Sequence, residues 1–122
     1  SLVPSSLPGG LDHLILNHVG TTFQFGPFQR DVEVMIKTMT VNFYSYVQLT
    51  ISALDMLQDS HGSIIVVSSM SGRLPSPFSV PYGASKSALE GFYSSLRTEL
   101  RLLKVELPIT VAVLGYIDTG EP

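Results

Sequence analysis

Three short aliphatic runs alternate with two long amphipathic stretches, and this order constrains the fold more than any other feature of the sequence. Residues 11–17 (Leu11-Asp12-His13-Leu14-Ile15-Leu16-Asn17), 63–69 and 109–114 are apolar runs, the last two rich in β-branched side chains. Runs this short and this apolar suit strands covered on both faces of a sheet. Between them, Val32, Met35, Ile36, Met39, Phe43, Tyr46, Val47, Leu54 and Leu57 follow three-and-four spacing over residues 31–57. Leu89, Phe92, Leu96, Leu100 and Leu103 do the same over 82–104. That spacing predicts two helices, the first capped by Asp31 and stopped at Asp59-Ser60-His61-Gly62. Strand-helix-strand-helix-strand implies right-handed crossovers and a parallel sheet.

Residues 1–10 contain Pro4, Pro8, Gly9, Gly10 and three serines, and read as a linker or frayed terminus. Residues 11–122 then form one domain, with 115–122 read as a terminal loop. A 44% hydrophobic, 14% charged composition is that of a globular chain. The net charge of -3 and scattered basic residues argue against nucleic-acid binding. Absence of cysteine rules out disulfides, thiolate metal sites and a cysteine nucleophile. No His, Asp or Glu set has metal spacing, so no metal is assigned. No apolar run approaches the roughly 20 residues of a membrane span. The chain starts Ser1-Leu2-Val3 without Met, so it is expected to be processed or part of a longer protein whose targeting segment lies elsewhere.

Open parallel sheets bind ligands beyond the carboxyl ends of their strands. Here those ends carry Asn17-His18-Val19-Gly20, Ser68-Ser69-Met70-Ser71-Gly72 and Leu114-Gly115-Tyr116-Ile117-Asp118-Thr119. Tyr82-Gly83-Ala84-Ser85-Lys86 opens the second helix, and residues four apart share a helix face. A phenol titrates near ~10 and is a poor base at neutral pH, but a nearby ammonium favours its phenolate. Ser69, thirteen residues before Tyr82, supplies a hydroxyl at the neighbouring strand end. An acid beside an oxygen-orienting donor suits interconversion of a carbonyl and an alcohol. Taken singly, Tyr82 and Lys86 are ordinary surface residues, Asn42 is an ordinary buried amide, and Tyr46 belongs to core or interface.

Together these segments resemble the short-chain dehydrogenase/reductase family over residues 11–119. Tyr82-x-x-x-Lys86 with Ser69 looks like the family's active site. Asn17-His18-Val19-Gly20 resembles its Asn-Asn-Ala-Gly segment, with His18-Val19 a departure. Val41-Asn42-Phe43 resembles the segment bearing its catalytic Asn, and the stretch from Leu114 to Thr119 resembles its Pro-Gly-x-x-x-Thr segment. The wording is most similar to the 11-beta-hydroxysteroid dehydrogenase type 1-like branch.

The resemblance implies the C-terminal part of a Rossmann-like, doubly wound parallel α/β sheet, with the first βαβα unit missing. It implies Tyr82 as general acid/base and Lys86 as the group that lowers its pKa and holds the nicotinamide ribose. Ser69 would orient the substrate oxygen, and Asn42 would hold a water in a proton relay. Asn17 and Gly20 would line the cofactor's adenosine and ribose side, with Ile117 and Thr119 at the nicotinamide end. NADP is implied over NAD, with a steroid-like or other apolar alcohol or ketone as substrate. A homodimer through the two long helices and residence at the endoplasmic reticulum belong to the same resemblance. The phosphate-cradling glycine fingerprint of such proteins occurs nowhere in the chain. The fragment alone is therefore expected to be inactive, and the alternative reading is a truncated isoform serving as a dimerisation module. A serine hydrolase built on Ser69 or Ser85 is disfavoured, because neither lies in Gly-x-Ser-x-Gly.

Overall fold

A computed structural model describes residues 11–17, 26–68, 74–75, 77–113 and, for the backbone alone, 116–118. The elements run β1 (His13–Leu16), α1 (Val32–Met39), a π-helical turn (Thr40–Tyr44), α2 (Ser45–Asp59), β2 (Ser63–Ser68), α3 (Val80–Leu102), β3 (Ile109–Val113) and β4 (Tyr116–Asp118). The sheet order is β1-β2-β3-β4. β1 and β3 both pair with β2 in parallel, with Leu14 opposite Ile64, Leu16 opposite Val66 and Val66 opposite Val111.

Because the strand order advances in one direction, two crossovers of the same hand lie on one face of the sheet. The core sits there: Leu16, Ile64, Val66, Ile109, Val111 and Val113 from the strands cluster with Tyr46, Ala53, Leu57, Leu89, Tyr93 and Leu100 from the helices. The opposite face is less covered. Ile65, Val67 and Ala112 are half-buried, and Ile15 is 64% exposed. The expectation that β1 is covered on both faces therefore holds on one side only among the described residues.

Two further elements depart from the sequence reading. The stretch 115–122, read as loop, contains β4, which runs antiparallel to β3 with Val113 opposite Tyr116 and Ala112 opposite Ile117. The parallel run of three strands thus ends in a hairpin. The helix expected over 31–57 is interrupted at Thr40–Tyr44, where the Ser45 N–H reaches back five residues to the Thr40 carbonyl. Hydroxyls flank the irregularity: Thr40 Oγ1 donates to the Ile36 carbonyl at 2.7 Å, and Ser45 Oγ donates to the Val41 carbonyl. Side-chain donors on i-4 carbonyls compete with the helix ladder and bend it. The start is as read, with Asp31 Oδ1 accepting the Glu33 N–H at 2.9 Å.

α2 ends in a tight connection. Gly62 N–H donates to the Leu57 carbonyl at 2.8 Å, while His61 takes the left-handed backbone with φ 55. Glycine is required at 62 for space. A Cβ there would sit 2.2 Å from the Asp12 carbonyl oxygen and 2.9 Å from Leu57 Cδ2. That same carbonyl accepts the Ser63 N–H at 2.9 Å, so the clash falls on the contact aligning β1 with β2. Gly62→Ala is expected to cost about 3 kcal/mol, at the upper end of overpacking penalties, and urea unfolding will show it as a lowered midpoint.

α3 begins at Val80, two residues before the expected start. Pro81 lies in its first turn, where the missing N–H costs no helical bond. Its buried stripe runs through Ser85, Lys86, Leu89, Tyr93, Arg97 and Leu100. Arg97 is accommodated because its Nε donates to the Ile109 carbonyl at 3.0 Å. Among the described residues, no helix is long and apolar enough to cross a membrane.

Candidate active site

The carboxyl ends of β1 and β2 bring Asn17 and Ser68 to one end of the sheet. Asn17 follows β1 and is exposed, whereas Ser68 closes β2 and is buried. The Ser68 hydroxyl has no hydrogen-bond partner among the described residues, a costly state for a buried polar atom.

The first two turns of α3 carry Tyr82 and Lys86. Tyr82 is half-buried and Lys86 is only 2% exposed. One turn separates them, which sets the Lys86 ammonium 5.4 Å from the centre of the Tyr82 ring. The ring of Tyr46 from α2 lies 5.8 Å from the same ammonium. Among the described residues, no carboxylate or other hydrogen-bond acceptor is recorded for this ammonium. Burial, with no counter-charge, holds the Lys86 pKa below its ordinary 10.5.

The π-helical turn aims Asn42 at the same place. Asn42 is 4% exposed and its Nδ2 donates to Ser85 Oγ at 3.3 Å. Ser85, fully buried, donates in turn to the Tyr82 carbonyl at 2.7 Å. An extra residue in a helical turn rotates the side chains of the next turn, and such turns recur at functional sites. Here it lets Asn42 face α3 while Tyr46, four residues on, faces Lys86.

Three of the expected site residues, Asn42, Tyr82 and Lys86, are thus assembled around one short segment. Ser69, Gly20 and Thr119 lie outside the described residues. Ile117 is placed by its backbone in β4, with its side chain outside the description. Sequence reasoning misses Tyr46 and Ser85 as members of the site. The four-residue spacing of Tyr46 from Asn42 is the signal that the two share a helix side.

A phenol ring and an ammonium thus meet near the carboxyl edge of a parallel sheet, linked through Ser85 to a buried amide. The chain belongs to the short-chain dehydrogenase family, whose sequence pattern matches residues 3–121. Among its relatives, it is 60% identical over 111 residues to hydroxysteroid 11-beta-dehydrogenase 1-like protein B of Xenopus laevis, covering 91% of this chain and 38% of that one. It is 52% identical over 110 residues to the Homo sapiens hydroxysteroid 11-beta-dehydrogenase 1-like protein, covering 90% and 35%. A solved protein of Sinorhizobium meliloti, proposed to be a short-chain alcohol dehydrogenase, matches with a TM-score of 0.74 at 28% identity over 84% of this chain and 40% of that one. The chain therefore spans little more than a third of the relatives it matches.

Proposed function

We propose that this chain carries the acid–base centre of an NADP(H)-linked oxidoreductase acting on a steroid-like or other apolar alcohol or ketone. The observation that carries the reading is the buried Lys86 ammonium, held against the Tyr82 ring at the carboxyl edge of the sheet. The relatives' names, hydroxysteroid 11-beta-dehydrogenase 1-like, support the substrate class.

In this reading Tyr82 donates its phenolic proton to the substrate oxygen during reduction and recovers it during oxidation. The Lys86 ammonium lies one turn away, 5.4 Å from the centre of the Tyr82 ring. Ser69 orients the substrate oxygen. Asn42, tied to the Tyr82 turn through Ser85, holds the water that passes protons toward Lys86. The donor set fits a nicotinamide ribose: the ammonium has hydrogens to give and no recorded acceptor among the described residues. Lys86 and Tyr82 would hold that ribose, Asn17 and Gly20 the adenosine side, and Ile117 and Thr119 the nicotinamide end. When bound, the nicotinamide supplies the hydride or accepts it. Preference for NADP over NAD rests on the resemblance to the steroid branch.

A second reading, a dimerisation module, has its own observation. Val32, Ile36, Tyr44 and Ile51 are 66%, 52%, 58% and 62% exposed along α1, the π-turn and α2. Apolar side chains left so open along one helical stretch suit a homodimer contact.

Nicotinamide fluorescence, read on this chain and on a chain extended upstream to the length of its relatives, separates the readings. Binding of NADPH by the extended form, tighter than NADH, is the expected result. Binding by neither form overturns the oxidoreductase reading in favour of the module, and tighter NADH binding overturns the cofactor preference.

A further inference from the structure

The ring of Tyr46 has no part in the acid–base steps above, yet it is fully buried against the site. Its place is fixed from two directions. It comes just after the π-helical turn, four residues past Asn42, so the rotation introduced there sets where its side chain points. Its carbonyl accepts a hydrogen bond from Tyr93 at 3.2 Å, and the Tyr93 hydroxyl in turn meets Thr50 Oγ1 at 2.7 Å. Burial pushes the Tyr93 phenol up to about 12, so it stays protonated and keeps donating across the working pH range.

A cation within about 6 Å of an aromatic centre is attracted to the ring face, most strongly where water is excluded. The Lys86 ammonium meets that condition twice, at 5.8 Å from Tyr46 and 5.4 Å from Tyr82. The titratable groups recorded against it are Tyr82 on its own helix and Tyr46 on α2. Among the described residues, no carboxylate and no second cation faces it. Among the described residues, the two ring faces are the recorded contacts that offset the cost of taking this charge out of water.

We propose that Tyr46 is a positioning residue for Lys86, its ring forming the second wall of an aromatic slot that keeps the buried ammonium charged and directed at the Tyr82 turn. The proposal rests on Lys86 being the partner of the acid–base tyrosine. Tyr46 acts through Lys86 and touches neither substrate nor cofactor.

The test is an NMR titration of the Lys86 Cε carbon in the intact protein, beside turnover. Tyr46→Phe keeps the ring and is expected to leave the midpoint in place. Tyr46→Leu removes the ring and is expected to lower the midpoint, raising the neutral fraction at a fixed pH below it about tenfold. Should the leucine variant fail to fold, pentafluorophenylalanine at position 46 keeps the shape, reverses the charge of the ring face and is expected to act in the same direction. An unmoved midpoint with the fluorinated ring overturns the proposal. So does a shift in Tyr46→Phe as large as that in Tyr46→Leu, which would assign the effect to the hydroxyl. The titration reads Lys86 directly. If turnover proves independent of Tyr82 while the midpoint still tracks the ring at 46, the oxidoreductase reading fails and the slot stands.

Discussion

Tyr82→Phe is expected to lower turnover by about 10³-fold, within the usual contribution of a positioned general acid, while the fold stays nearly unchanged. The substitution removes one oxygen and little else. The ring that faces the Lys86 ammonium at 5.4 Å is retained. The contact from Ser85 is to the Tyr82 carbonyl, which the change does not touch. The half-buried position leaves no cavity, because the ring fills the same space. A loss of kcat that far exceeds any change in the NADPH dissociation constant, with an unaltered circular dichroism spectrum, is the signature of a proton donor and not of a structural residue. The measurement belongs in a chain extended to the length of its relatives. Turnover by the phenylalanine variant within tenfold of the parent would remove Tyr82 from the chemistry.

Strands and helices were legible because hydrophobic periodicity reports burial directly. β2 and β3 bury alternate residues on the helix side and half-bury the others, which is why both read as continuous apolar runs. What periodicity cannot show is which layer covers the second face, and Ile15 stands open there among the described residues. β4 escaped notice because a three-residue strand pairing only at the end of β3 leaves too few positions to form a pattern. The π-helical turn escaped for the opposite reason: five residues inside a longer periodic stretch leave the spacing on either side intact. Thr38, Thr40, Val41 and Ser45, β-branched or hydroxyl-bearing around one turn, are the local hint.

The site was legible as a set of residue types at fixed spacing, but its environment was not. Lys86 and Arg97 lie on the buried stripe of α3, where a hydropathy reading expects apolar side chains. A lone lysine is ordinarily a solvated charge. The burial of this one arises from α2, the π-turn and α3 packing together, a fact of tertiary structure that no local pattern contains.

That burial makes Lys86→Met informative in two directions at once. In the folded chain, desolvation holds the lysine pKa below its ordinary 10.5, the value that applies when the chain is unfolded. The unfolded chain therefore binds the proton more tightly. Below the folded value the buried charge weighs against folding, and the burden lifts as pH rises through the window from that value to 10.5. Methionine fills much the same volume and carries no charge. The variant is expected to melt at a higher temperature at neutral pH and to lose that advantage toward pH 10.5. Function is expected to move the other way. Without the ammonium beside the Tyr82 ring, the rate is expected to fall by about 10³-fold. Loss of the ribose contact is expected to weaken NADPH binding about tenfold, within the range for a hydrogen bond to a charged group. Melting curves across pH, set beside kcat and NADPH affinity in the extended chain, check all three. A variant that is both less stable at neutral pH and slower would mark Lys86 as a structural ion. A slower variant with unchanged NADPH affinity would confine the lysine to the acid–base step.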